Sequence, residues 1–84
     1  MKIYLLDRRV KISLLDFDAI KRYAQKIIMV ESDVDIIKGS VIYDAKSIMA
    51  ILALGTLDDI YVEIYSDDQE EIKRFRELME EFKA

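Results

Sequence analysis

Asp44-Ala45-Lys46-Ser47-Ile48-Met49-Ala50-Ile51-Leu52-Ala53-Leu54-Gly55 is the stretch on which the reading of this chain turns. It reads as a strand end, a helix cap, two helical turns and a stop. Ser47 is placed to be the N-cap, its hydroxyl accepting from the backbone N–H of Met49 or Ala50. The run from Ile48 to Leu54 holds good helix formers and no breaker. Gly55 can adopt the left-handed conformation that ends a helix without steric penalty. Almost every side chain in this helix is apolar. One face can pack on a sheet, which leaves Ile48, Met49 and Leu52 near the surface. A small apolar patch beside a helix N-terminus is a candidate docking site. A short, fully buried core helix with an ordinary serine cap accounts for the same residues.

On the C-terminal side, Asp59-Ile60-Tyr61-Val62-Glu63-Ile64-Tyr65 alternates cleanly. Ile60, Val62 and Ile64 would face one side of a strand, and Tyr61, Glu63 and Tyr65 the other. Ser66-Asp67-Asp68-Gln69 is a capping-box pattern. It opens a last helix with Ile72, Phe75, Met79 and Phe82 at spacings of three and four. Acidic residues fill its first turn, as the helix dipole favours.

On the N-terminal side, Val34-Asp35-Ile36-Ile37 and Val41-Ile42-Tyr43 flank Lys38-Gly39-Ser40 as a hairpin. Gly39 supplies the positive φ that its turn requires. Ile20, Tyr23, Ala24, Ile27 and Ile28 fall at helical spacing, with Lys21, Arg22, Gln25 and Lys26 on the opposite face. Asp16 or Asp18 can cap that helix, and Glu31-Ser32-Asp33 closes it. Val10-Lys11-Ile12-Ser13-Leu14 suits a strand with one buried face. Lys2-Ile3-Tyr4-Leu5-Leu6 is also strand-like, and its pattern admits an extra strand, one arm of a hairpin, or a tail. The order is therefore β-α-β-β-α-β-α, an α+β arrangement. Strands that alternate apolar and polar bury one sheet face and leave the other solvated. Three helices on one face of an antiparallel sheet satisfy that pattern.

Composition narrows the function classes. The 84 residues carry a formal net charge of −4, and the chain has no Cys, no His and no Pro. That length makes one domain, residues 1–84, with a modest core. Without Cys there is neither a disulfide nor a thiolate metal site. The acidic balance speaks against a nucleic-acid partner. No run approaches the length of a membrane helix. The start, broken early by Asp7-Arg8-Arg9, is too short for a signal peptide. A cytoplasmic protein without cofactor or metal is expected.

Ala45-Lys46-Ser47-Ile48-Met49, followed by Ala53-Leu54-Gly55, resembles the second helix of HPr, the small phosphocarrier of the bacterial sugar phosphotransferase system. The resemblance runs from about Val34 to the C-terminus, with Ala50 where the family usually has Gly. It implies an open-faced β-sandwich, a four-stranded antiparallel sheet of order 1-4-2-3 covered on one face by three helices. It also implies that the serine at position 47 is the one phosphorylated by a dedicated kinase in many family members. The phosphoserine form there binds a transcriptional regulator.

The family is defined by a phosphorylated histidine at the start of its first helix, within His-Ala-Arg-Pro. Counted back from Ser47 without gaps, the histidine position falls on Asp16, the arginine on Asp18 and the proline on Ala19. If Val10–Leu14 is the first strand, the loop that carries the histidine is instead shortened. Either way the nucleophile and the cation are missing. Two carboxylates here would repel an incoming phosphoryl group. A like-charge pair about 4 Å apart costs on the order of 4 kcal/mol at an effective dielectric near 20. Asp16 could in principle accept a phosphoryl group itself; an aspartate cap and a dipole-favoured acid explain both residues.

Other groupings are thinner. Asp58-Asp59 and Asp67-Asp68 offer oxygen ligands, or a loop and a helix cap. Lys21, Arg22 and Lys26 form a small basic stripe, or a solvated helix face. Among Tyr4, Tyr23, Tyr43, Tyr61 and Tyr65, the last two would share the open sheet face, as an interface or as cross-strand packing.

The resemblance therefore implies a regulatory adaptor rather than an enzyme, like the histidine-lacking catabolite-repression HPr-like proteins. Ser47 would be the phosphorylation site, flanked by Lys46. Ile48, Met49 and Leu52 would dock an HPr-type kinase and a transcriptional regulator or other protein. The alternatives are an unphosphorylated interaction module, a homodimer among them, and a divergent phosphocarrier working through Asp16.

Overall fold

Four strands and three helices follow one another as the alternation requires. The computed structural model describes residues 5–84. The elements are β1 (Arg9–Leu14), α1 (Phe17–Ile27), β2 (Val34–Lys38), β3 (Val41–Asp44), α2 (Ile48–Leu54), β4 (Leu57–Ile64) and α3 (Gln69–Met79). A single 3-10 turn, Glu80–Phe82, completes them. The sheet order is β1-β4-β2-β3, and every neighbouring pair is antiparallel. The strand-like reading of Lys2–Leu6 falls partly on residues 1–4, outside the described residues. Leu5 and Leu6 belong to no regular element.

Side-chain alternation explains the two unlike faces. Val10, Ile12 and Leu14 of β1, Val34 and Ile36 of β2, and Ile60, Val62 and Ile64 of β4 are all buried on one face. Helix α1 adds Ala19, Ile20, Tyr23 and Ile27; α2 adds Ile51; α3 adds Ile72, Phe75 and Met79. Each large aliphatic or aromatic side chain buried this way contributes roughly 1.5–3 kcal/mol. The opposite face carries Arg9, Lys11, Asp35, Ile37, Ile42, Asp44, Tyr61 and Glu63, which the strand registers place side by side.

The structure corrects several boundaries. Helix α1 stops at Ile27, and Ile28, which the helical spacing carries onward, is 66% exposed. Asp16, not Asp18, is its N-cap. The last helix is capped by Asp68, whose Oδ1 accepts from Glu70 N at 3.0 Å. Ser66 forms a tight turn one step earlier, its Oγ accepting from Asp68 N at 3.1 Å, so it does not close the capping box. Asp58 and Asp59 lie inside β4 rather than in a loop. Ile12 pairs with Ile60 and Leu14 with Leu57, so β4 carries one extra residue, a β-bulge. Asp59 takes up the distortion at φ 49°, in the left-handed region that Asp tolerates better than most residues. The Ser13 hydroxyl fastens the bulge, donating to Asp58 Oδ1 at 2.9 Å and accepting from Asp59 N at 3.0 Å.

A carboxylate on α3 holds the loop after α1. Glu71 accepts from the Ser32 hydroxyl and from Ser32 N. Hydrogen bonding from Ser32, then Ser66, holds its pKa below the usual carboxylate range. A pKa lowered by folding means stability that is full above the ordinary glutamate value, about 4.3. That stability is lost as pH falls through the lowered folded value. Urea midpoints measured from pH 6 to pH 3 should therefore fall more for the wild type than for Glu71→Gln.

Candidate functional site

The segment around Ser47 is built from its neighbours inward. Ala45 is fully buried. Its N–H donates to the Val34 carbonyl at 2.9 Å, and its carbonyl accepts from the Tyr23 hydroxyl at 2.9 Å. The chain is thus pinned to β2 and to α1 immediately before it turns into α2. Asp44 shapes the turn, its Oδ1 accepting from Lys46 N at 3.0 Å and its carbonyl from Ser47 N at 3.2 Å. The Lys46 ammonium reaches across to the Glu31 carbonyl at 3.3 Å.

Ser47 is the N-cap of α2, with extended backbone at φ −81° and ψ 99°. Its Oγ accepts from Ala50 N at 3.3 Å, a long bond for a cap. The residue is half-buried, and its hydroxyl proton is not used in that bond. Of the helix that follows, Ile51 alone is buried. Ile48 is 38% exposed, Leu52 48% and Met49 79%. The reading of α2 as a fully buried core helix is thereby corrected. The helix ends at Gly55, φ 73° and ψ −145°, a region essentially restricted to glycine.

The start of α1 is arranged differently. Strand β1 ends at Leu14 and Asp16 already caps α1, so only Leu15 separates them. The Asp16 carboxylate accepts from Ala19 N at 2.7 Å. Asp18 is the acid of the first turn. Two of the three cations further along the helix, Arg22 and Lys26, turn toward the end of the chain. Arg22 Nε meets Glu81 Oε1 at 2.7 Å, and Lys26 Nζ meets Glu81 Oε2 at 2.6 Å. Their hydrogen bonds, Lys26 first, hold the Glu81 carboxyl below its usual range. These cations are engaged by Glu81 rather than gathered at Asp16.

The acidic pairs also have structural employment. Asp67 pairs with Arg8 at 2.8 Å, Asp68 caps α3, and Asp58 binds Ser13. Among the described residues no cluster of His, Cys, Asp and Glu is arranged to hold a metal ion. No helix of the described residues is long and apolar enough to cross a membrane.

Sequence reasoning missed the Tyr23 hydroxyl as the tie between α1 and the Ser47 segment. A signal was present, since a tyrosine on the apolar stripe of a helix must find a partner for its hydroxyl when buried. Burial pushes the Tyr23 phenol pKa up, and the nearby Asp44 charge adds to it.

An open-faced antiparallel sheet, three helices on one side and a serine capping the second helix make up the arrangement that the HPr resemblance implies. A family model described as the PTS HPr component phosphorylation site matches residues 15–84. The chain belongs to the PTS-HPr family, whose members are phosphocarriers that act through protein partners and are not enzymes in their own right. Among solved structures it is similar to the crystal structure of HPr-C-His from Thermoanaerobacter tengcongensis, with a TM-score of 0.60 and 26% identity. That match covers 95% of this chain and 92% of the other. No curated protein matches the chain.

Proposed function

We propose that this chain, a single HPr-like domain over residues 1–84, is a regulatory adaptor of the phosphotransferase system controlled through Ser47, without histidine phosphocarrier activity. One observation carries the reading. The chain has no histidine, and its α1 start offers carboxylates in place of a nucleophile and a cation, whereas the Ser47 hydroxyl sits half-exposed beside Ile48, Met49 and Leu52. In this reading the protein is cytoplasmic, bacterial and not an enzyme. Its partners are an HPr-type kinase and a transcriptional regulator or other protein, docked on Ile48, Met49 and Leu52 with Lys46 at the flank. Phosphorylation adds about −1.5 to −2 charges, which a helix N-terminus favours. Asp44 opposes the added charge and Lys46 partly offsets it. The Asp16 phosphocarrier alternative is disfavoured because Asp16 is committed to its cap and Arg22 and Lys26 to Glu81.

The test is incubation with an HPr kinase and ATP, followed by mass mapping of the modified residue. Label on Ser47, abolished in Ser47→Ala, is the expected result; an unlabelled wild-type chain sinks the reading. The Ala variant should lose about 1 kcal/mol of stability with its cap, too little to unfold the domain. In a reconstituted phosphoenolpyruvate-dependent assay the chain should take up no phosphoryl group. Label that disappears in Asp16→Asn would transfer the function to the start of α1.

A further inference from the structure

We propose that the open face of the sheet is a self-docking surface, taken by a second copy of this chain in a face-to-face, two-fold arrangement. The proposal stands independently of Ser47, whose helix lies on the core side of the sheet.

The strand registers arrange this face in two rows. One row runs Lys11, Tyr61, Ile37, Ile42 across β1, β4, β2 and β3. The other runs Arg9, Glu63, Asp35, Asp44 across the same strands. The first row is apolar over three strands, with Tyr61 38% and Ile42 61% exposed. The second row is cationic at the β1 edge and acidic at the β3 edge. Such a face is complementary to itself under one operation. A two-fold axis parallel to the strands, between β4 and β2, lays β1 over β3 of the second copy and β4 over its β2.

The chemistry of that stacking follows strand by strand. Tyr61 covers Ile37 of the second copy, and the reverse contact repeats it. Arg9 meets Asp44 of the second copy, again twice. The Lys11 stem lies over Ile42, as long cationic side chains cover apolar surface. Glu63 faces Asp35, and the Glu63 charge is offset within its own chain by Arg9. Arg9 holds Glu63 at 2.9 Å, and Asp35 lies near the Tyr65 phenol, whose pKa it raises to about 12. The other in-plane axis, perpendicular to the strands, stacks β1 on β1 and opposes cation to cation. Charge complementarity therefore selects the first.

Size sets the strength. Four strands about 4.8 Å apart, with two facing residues each, give a footprint on the order of 300 Å² per copy. A standard stable interface buries roughly 800 Å² per partner. The association is thus weak, concentration-dependent and reduced by salt.

Sedimentation equilibrium on the full chain at low salt, from micromolar to millimolar, reads the proposal. The wild type should dimerise reversibly. Arg9→Asp and Asp44→Arg should each weaken self-association by about tenfold or more, since attraction becomes repulsion at two symmetric contacts. A mixture of the two variants should associate more tightly than either variant alone, because each then offers what the other lacks. Ile42→Lys, at an exposed edge position, should disrupt the dimer without touching the core. Ser47→Ala should dimerise as the wild type does, so failure of this proposal and failure of the serine reading are separable. A wild type monomeric at millimolar concentration, a dimer indifferent to these variants, or a mixture no tighter than its components would overturn the proposal.

Discussion

Phe75→Ala is expected to destabilise the domain by about 3–5 kcal/mol. Phe75 is fully buried on α3, with Ile72 one turn before it and Met79 one turn after, all within one core cluster. Helix α3 packs on both α1 and β1. Truncation removes an aromatic ring from the point where the helical layer meets the sheet, and a small domain cannot collapse far to fill the hole. Globular domains hold only about 5–15 kcal/mol in total, so the variant would lie near the edge of folding. Urea denaturation followed by circular dichroism measures the loss. A cost under about 1 kcal/mol would mean that the core is looser at α3 than the packing indicates.

Tyr23→Phe removes a single oxygen and is expected to cost about 1–3 kcal/mol, the desolvation penalty of leaving the buried Ala45 carbonyl without its donor. The ring keeps its place in the core, edge-on to Phe82 with centroids 6.0 Å apart. The loss therefore reports the hydrogen bond rather than packing. The effect also has a pH signature. Burial raises the folded pKa of Tyr23 above its unfolded value, about 10. The unfolded chain then releases the proton first, so the stabilisation is full below pH 10 and is lost as pH rises toward the folded value. The difference in stability between wild type and Tyr23→Phe should shrink above about pH 10. A constant difference across that range would show that the hydroxyl is not what holds Ala45.

The strands were legible because their pattern is a simple one. Ile60, Val62 and Ile64 alternate with Tyr61 and Glu63, and the period of two places them on opposite faces whatever the neighbouring strands do. The stripe Ile72, Phe75 and Met79 was as plain, and the strand order came with the family resemblance carried by Lys46-Ser47-Ile48-Met49. Ends were harder. The bulge at Asp58-Asp59 depends on Ser13, forty-five residues away in sequence, and no local pattern announces it. Choosing Asp68 over Ser66 as the cap depended on where the chain leaves β4. At the candidate site, Ser47 as cap could be read from the sequence, while exposure of Ile48, Met49 and Leu52 was one of two readings, decided in the structure by the burial of Ile51 alone. The Tyr23 tie and the reach of Lys46 to Glu31 are tertiary contacts and could not.

Helix α2 is joined to the rest of the domain by little. It is seven residues long, well short of the roughly 12–15 at which an isolated helix begins to hold in water. One buried side chain, Ile51, the partly buried Leu54 and one 3.3 Å cap bond secure it, while Ala45 just before it is tied at both its N–H and its carbonyl. The firm part ends at Ala45 and the loosely held part begins at Ser47. With stability distributed this way, α2 is expected to open as a separate unit while the sheet stays paired. Its amides should exchange with solvent far sooner than those of β4. An enzyme that needs an extended serine segment would meet one whenever α2 opens, at a fraction of the free energy of global unfolding.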